Sequence, residues 1–208
     1  MVSPSRDRAD LLAAGLGLSV SGQSGESSED ADIVQAARSG DRRAFGHLYE
    51  RYARMVHGVL LAKVPIADVD DLVQDTFMKA MRGLSGLREN GSFGPWLAAI
   101  ARNLANDRYR RSVLEIALEE ELVTAEATGS PEPDASAATI LEAIRNLPEA
   151  YREPLILRLV EGMTGPEIAA RTGLTPGSVR VNLHRGMQQL RASLKLPPRQ
   201  DHGDEGKK

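Results

Sequence analysis

The chain has 208 residues, 41% hydrophobic but only 4% aromatic, with no cysteine and a net charge of −3. That length suits two small domains or one medium one, and cores limited to Leu, Ile, Val, Ala and Met favour packed helices over a β-sandwich. Without cysteine there are no disulfides, thiolate zinc sites or thiol catalysis, which fits a reducing cytoplasm; no apolar run reaches the ~20 residues that span a bilayer, and an acidic chain that binds DNA must cluster its positive charge or borrow affinity from a partner.

Residues 1–29 read as a disordered tail. Arg6 and Arg8 precede an apolar run over 11–20, but Asp7, Asp10, Gly15, Gly17 and the lack of a small-residue cleavage site argue against an export signal. The Ser/Gly/Glu stretch that follows has a disorder-like composition. A first helical block is expected over 30–112. Gly40 closes a short helix, and Asp41 is a suitable N-cap for the next. In that helix Phe45, Leu48, Tyr49, Tyr52, Met55, Val56, Val59 and Leu60 recur at helical spacing. Pro65 breaks the pattern. Val69, Leu72, Val73, Thr76, Phe77 and Ala80 mark another amphipathic helix. After a glycine-rich turn over 83–94, Phe93, Leu97, Ile100 and Leu104 mark a third, with Ser92 as candidate cap. Such stripes bury one another in a helical bundle.

This block carries two polar surfaces. Opposite the Leu72 stripe, Asp71, Gln74, Asp75 and Met78 fall at i, i+3, i+4 and i+7. Such a face is either merely solvated or a docking surface for a basic partner. Asp70, Asp71 and Asp75 also raise a Mg²⁺ site, but that would need a second, facing carboxylate cluster, and the only dense acids lie in a Pro/Gly/Ala-rich segment. Further on, Phe93 and Trp96 border the loop, and Arg102, Asn103, Asn106, Arg108, Arg110 and Arg111 follow on one helix. Aromatics beside basic and amide groups suit single-stranded nucleic acid; the two rings equally suit a core, and spacing does not choose between these.

Residues 113–136 carry seven acids and no Lys or Arg, the composition of an acidic linker. A second helical block is expected over 137–196, followed by a polar end over 197–208. Ile140, Leu141, Ile144 and Leu147 open the block. Leu155, Ile156, Leu159 and Val160 form the next helix, its regular start delayed by Pro154. Then come a helix holding Glu167, Ile168 and Ala169, a tight turn at Gly173 and Leu174, and a second helix with Thr175 as N-cap and Pro176 at its first position. Val179, Leu183, Leu190 and Leu194 form its buried stripe, which points Gly177, Val181, His184, Arg185 and Gln188 outward with Arg180 on the flank. Between 168 and 200 there is no Asp or Glu, whereas Arg171, Arg180, Arg185, Arg191, Lys195 and Arg199 are present. A helical hairpin with a solvated basic face would share some of this pattern; cap, turn, stripe and charge together favour a helix-turn-helix that enters a DNA major groove.

With these motifs the chain resembles the extracytoplasmic-function branch of the bacterial sigma-70 factors. DDLVQDTFMKAMRGL (70–84) is similar to the polymerase-binding helix of sigma region 2. FGPWLAAIARNLANDRYRR (93–111) is similar to the segment that melts and reads the −10 promoter element. The stretch from 147 to 190 is similar to region 4, which binds the −35 element. The resemblance implies an all-α, two-domain protein without cofactor or catalysis that directs promoter-specific initiation by RNA polymerase. It implies that Asp71, Gln74, Asp75 and Met78 contact core polymerase. Phe93, Trp96, Arg102, Asn103, Asn106, Arg108, Arg110 and Arg111 would lie at unpaired −10 DNA. Thr175, Gly177, Ser178, Arg180, Val181, His184 and Arg185 would face the −35 duplex. The partners implied are core RNA polymerase and promoter DNA, with an anti-sigma factor left open. Val181 and Asn182 stand where the family often has a basic residue, and Gly186 replaces a frequent Ala. The alternative is a stand-alone helix-turn-helix regulator that needs no polymerase.

Overall fold

The computed structural model describes residues 23–119 and 135–195, with side chains over 29–111 and 137–195. The described residues form eight α-helices and no strand: α1 (Gln23–Arg38), α2 (Arg42–Leu61), α3 (Val69–Gly83), α4 (Phe93–Glu119), α5 (Ala135–Arg145), α6 (Glu149–Leu159), α7 (Gly165–Thr172) and α8 (Pro176–Ser193). The expectations for residues 1–22, for most of the acidic segment (120–134) and for 196–208 lie outside the described residues.

Helices α1–α4 form the first bundle. Gly40 turns the chain at φ 97°, and the Asp41 carboxylate accepts the backbone N–H groups of Arg43 (2.8 Å) and Ala44 (3.3 Å), as an N-cap should. All six residues that spacing assigns to the α3 stripe are buried. In α2 the inner residues are buried, while Phe45 and Tyr49 lie at the edge and close on Phe77, with ring centroids 6.4 and 4.6 Å away. Half of the described buried residues of α4 are alanine. Ala98, Ala101 and Ala105 are buried beside Phe93 and Leu97, whereas Ile100 and Leu104 are only half-buried. Ser92 belongs to a 3-10 turn leading into α4, and its hydroxyl donates to Glu89 at 3.3 Å.

Two boundaries move. Helix α1 begins at Gln23, inside the expected tail, because its later turns are anchored: Val34 is fully buried, and buried Asp30 accepts the Tyr52 hydroxyl at 2.5 Å and faces Arg51 Nε at 3.0 Å. Once nucleated by packing, a helix propagates at little cost. Helix α4 overruns the expected end at 112 for the same reason. The residues up to Glu119 include good helix formers and neither Gly nor Pro.

Helices α5–α8 form the second bundle around Ile144, Leu155, Ile156, Leu157, Ile168, Val179 and Leu190. The expectation for Pro154 fails. Helix α6 starts five residues before it, and the ring is buried within the helix. The carbonyl that Pro154 leaves without a helical donor belongs to Ala150, the second residue of the helix, and Ala150 is exposed, so that water can meet it. Val160, expected in the stripe, is exposed beyond the helix end, and Leu157 is buried in its stead.

The bundles pack on each other, α2 against α6 and α4 against α7. At this contact buried Glu161 faces Arg54 and takes a hydrogen bond from His57 Nδ1 at 2.6 Å. The Glu161 bond holds the His57 imidazole above its usual pKa of 6.5, with help from the nearby Asp70 charge and against partial burial. A folded-state value above the unfolded one means stabilisation that is complete below the unfolded pKa and lost as pH rises through the folded one. The melting temperature of the wild type should therefore exceed that of His57→Gln most below pH 6.5, with the gap closing as pH rises above 6.5 and through the raised folded-state value. A gap that stays constant across that range would show that His57 titrates without coupling to folding.

Candidate nucleic-acid and partner interfaces

Burying one whole side of α3 leaves the other to solvent. Asp71, Gln74, Asp75 and Met78 are all exposed along it. Met81 and Tyr49, 57% and 43% exposed, add apolar surface. Two carboxylates flanked by exposed methionine make a surface with both charge for steering and apolar area for contact.

The second surface lies on α4 and the loop before it. Of the two roles that spacing leaves open for Phe93, the described structure shows the core one: it has no exposed surface and packs edge-on against Tyr52, with centroids 5.2 Å apart, supporting the helix start. Trp96 is half-buried, 5.9 Å from Phe93, and with Leu87, Arg88, Glu89, Ser92 and Pro95 it lines an open hollow. Its lining mixes apolar groups (Leu87, Pro95 and Trp96) with polar ones (Arg88, Glu89 and Ser92).

The basic residues of α4 divide into two sets. Asn103, Asn106 and Arg110 are exposed at i, i+3 and i+7, and Arg111 is exposed beyond them. Arg110 keeps its exposure while donating to Asp107 at 2.8 Å, whereas Arg102 and Arg108 are half-buried against more distant carboxylates. Arg108 pairs with Asp68 through two contacts of 3.1 and 3.2 Å. Arg102 is held by buried Glu153 of the second bundle. Tyr109, 65% exposed among these cations, is a functional candidate that reading the sequence missed. Its place one residue before two arginines was the available signal. The loop is braced from α1: Arg38 Nη1 donates to the Asn90 side chain at 2.9 Å, and Asn90 Nδ2 donates to Gln35 at 3.0 Å.

The third surface is the helix-turn-helix of α7 and α8. A capping box starts α7, in which the Thr164 hydroxyl accepts from the Glu167 N–H and the Glu167 carboxylate accepts from the Thr164 N–H at 2.7 Å. Gly173 ends it at φ 76°, the left-handed conformation that glycine adopts without strain. Thr175 then caps α8, accepting the Ser178 N–H at 3.1 Å, and Pro176 takes the first helical position. Val179 and Leu190 are buried, and Leu183 and Leu194 half-buried. Thr175, Gly177, Ser178, Arg180, Val181, His184, Arg185 and Gln188 are all exposed. Gly186 is buried where a Cβ would stand 2.9 Å from Leu155 Cδ1 and 3.0 Å from Tyr151 Cβ, so glycine here lets α8 sit close on α6. Arg171 is not on this outer face. It donates to the Arg51 carbonyl at 3.1 Å and sits 5.7 Å from the Tyr52 ring centroid. No described helix is long and apolar enough to cross a membrane.

The chain matches two family models: "Sigma-70 region 2" over residues 48–113 and "Sigma-70, region 4" over 137–190. It is 35% identical to the RNA polymerase sigma factor CarQ of Myxococcus xanthus, over 77% of this chain and 95% of that protein. It is 36% identical to the RNA polymerase sigma factor CnrH of Cupriavidus metallidurans, over 80% of this chain and 95% of that one. The solved structure of CnrH in complex with the cytosolic domain of CnrY superposes with a TM-score of 0.57, covering 80% of this chain and 97% of CnrH at 29% identity.

Proposed function

Since the chain belongs to the extracytoplasmic-function branch of the sigma-70 family, non-catalytic initiation factors of RNA polymerase, we propose that its first bundle grips core polymerase and meets the −10 element while its second reads the −35 element. The observation that carries this reading is the separation of three exposed surfaces by chemistry. An acidic, methionine-bearing face on α3 suits a basic protein partner, a stripe of Asn103, Asn106 and Arg110 beside Tyr109 suits an unpaired strand, and the carboxylate-free outer face of α8 suits a duplex groove.

The details follow from the same chemistry. Asp71, Gln74, Asp75 and Met78 contact polymerase. The hollow under Trp96 accepts a base taken out of the stack, at an unpairing cost of a few kcal/mol that binding of the exposed strand offsets. Phe93 positions this hollow from the core. Thr175, Gly177, Ser178, Arg180, Val181, His184 and Arg185 face the −35 duplex. Net acidity fits a factor that borrows its DNA affinity from polymerase, and the cytoplasm is where both partners are met. CnrH was solved with a bound CnrY domain; a comparable anti-sigma partner is proposed for this chain.

Transcription from a promoter library by core polymerase, with and without the chain, tests the reading. Expected are new start sites preceded by one shared pair of elements. Start sites that ignore the added protein would overturn it. Specific gel shifts by the free chain, with no effect of polymerase, would favour a stand-alone regulator.

A further inference from the structure

The contact between the bundles is tight and charged where it meets the DNA-facing helix. Arg102 lies on α4, the helix whose outer stripe is assigned to the −10 strand. Its Nε and Nη2 donate to the two carboxylate oxygens of Glu153 on α6, at 3.0 and 2.6 Å, and Nη2 also reaches the Thr172 carbonyl at 3.1 Å. Glu153 is 8% exposed. A bidentate guanidinium–carboxylate pair has the geometry of a guanidinium–phosphate pair.

Backbone approach reinforces the pair. A Cβ on Gly58 of α2 would stand 2.6 Å from Leu157 Cδ2 and 2.9 Å from Glu161 Cγ, both in the second bundle. A Cβ on Gly94 of α4 would stand 2.9 Å from the Arg171 carbonyl oxygen. Nearby, Arg145 donates to the Leu61 and Val64 carbonyls at 3.2 and 2.7 Å, and Lys63 pairs with Glu149. Pro95 of α4 lies against Gly173, the turn of the helix-turn-helix.

This arrangement cannot serve a whole promoter. Elements about 25 base pairs apart are roughly 80 Å apart along a duplex, whereas a compact body of this size is only roughly 40 Å across. The chain between Glu119 and Ala135 can extend to about 55 Å, enough to let the bundles part.

We propose that Glu153 is an intramolecular stand-in for a DNA phosphate: it occupies Arg102 and latches the bundles together, so that the free chain is closed and Arg102 becomes available to the −10 strand only when the bundles separate. This rests on the assignment of α4 to the −10 strand. Opening transfers Arg102 from a carboxylate to a phosphate and leaves Glu153 to water, so the charge lost by one contact is recovered in another. The outer face of α8 and the Asn103, Asn106 and Arg110 stripe stay exposed in the closed state, so the latch withholds Arg102 itself from the −10 strand.

Two independent variants test the latch in the full-length chain. Glu153→Gln removes the charge without removing volume. Gly58→Ala wedges the interface from within α2, where alanine is the better helix former. The native chain lacks cysteine, so labels at Arg43→Cys and Gln189→Cys, both at exposed positions, report the distance between bundles without interference. Both variants should lengthen that distance. Both should raise the affinity of the free chain for a fluorescein-labelled, A/T-rich single-stranded 12-mer about tenfold, as expected when a minor open state becomes dominant. The exchange Arg102→Glu/Glu153→Arg should restore the short distance and abolish the gain in binding. An unchanged distance in both variants, or lengthening without stronger binding, would overturn the latch. Failure of the wild type to support transcription with core polymerase would instead overturn the assignment on which it rests, whatever the label distances show.

Discussion

A chain carrying Asp75→Arg is expected to lose its association with core RNA polymerase while keeping its fold. Asp75 is exposed on α3, between Asp71 and Met78 on one stripe, and the opposite side of that helix is wholly buried in the first bundle. An exposed substitution of this kind shifts stability by about 0.5 kcal/mol or less, so the melting temperature should barely move. Docking is different. A partner complementary to Asp71 and Asp75 is basic, and a like charge set against it costs several kcal/mol, enough to raise Kd more than about 100-fold. Asp75→Asn removes the attraction without adding the repulsion and should fall between wild type and arginine. Native gels or pull-downs with core polymerase give the ranking. Full retention of polymerase by Asp75→Arg would show that α3 is a solvated face and that the grip lies elsewhere.

What could be read from the sequence, and what could not, follows from the range of the interactions involved. The α3 stripe was fully legible because six residues at helical spacing, five of them large or β-branched, leave one side for the core. The caps at Asp41 and Thr175 and the turn at Gly173 were legible because each is decided by a few neighbouring residues. The inner face of α4 was not, since alanine carries little hydrophobic signal although Ala98, Ala101 and Ala105 are all buried. Nor does anything local separate Arg102 from Arg110. Both are arginines on one helix, and only the tertiary position of Glu153 draws the first inward while the second stays exposed. A clue to the inter-bundle contact was present in Gly58 and Gly94. Glycine inside a helix is less favourable than alanine by about 1 kcal/mol, and such a residue, set in an apolar helical pattern, points to another backbone or side chain pressed close. Val160 and Pro154 show the opposite limit, where a helix end and a buried ring were set by packing that no periodicity records.

Arg185→Ala is expected to weaken the −35 contact without changing which sequence is preferred. At about 100° per residue, Gly177, Val181, His184 and Gln188 define the centre line of the exposed face of α8. Arg180 and Arg185 stand on opposite flanks of it, roughly 60° and 80° from Gly177. A helix seated in a major groove directs its centre line at base edges and its flanks at the two phosphate backbones, and both arginines are exposed. On the proposed seating Arg185 is a phosphate contact, and its loss is expected to cost about a tenfold change in affinity at moderate salt. Removing it should reduce footprinting and run-off transcription by the polymerase complex in similar proportion on matched and mutated −35 elements, and should lower the slope of log affinity against log salt by about 1. His184→Ala, on the centre line, should instead change the ranking of −35 sequences. If Arg185→Ala altered that ranking and left the salt slope intact, the arginine would be reading a base and the seating of α8 would have to be rotated toward it. If neither quantity moved, α8 would not be the helix in the groove.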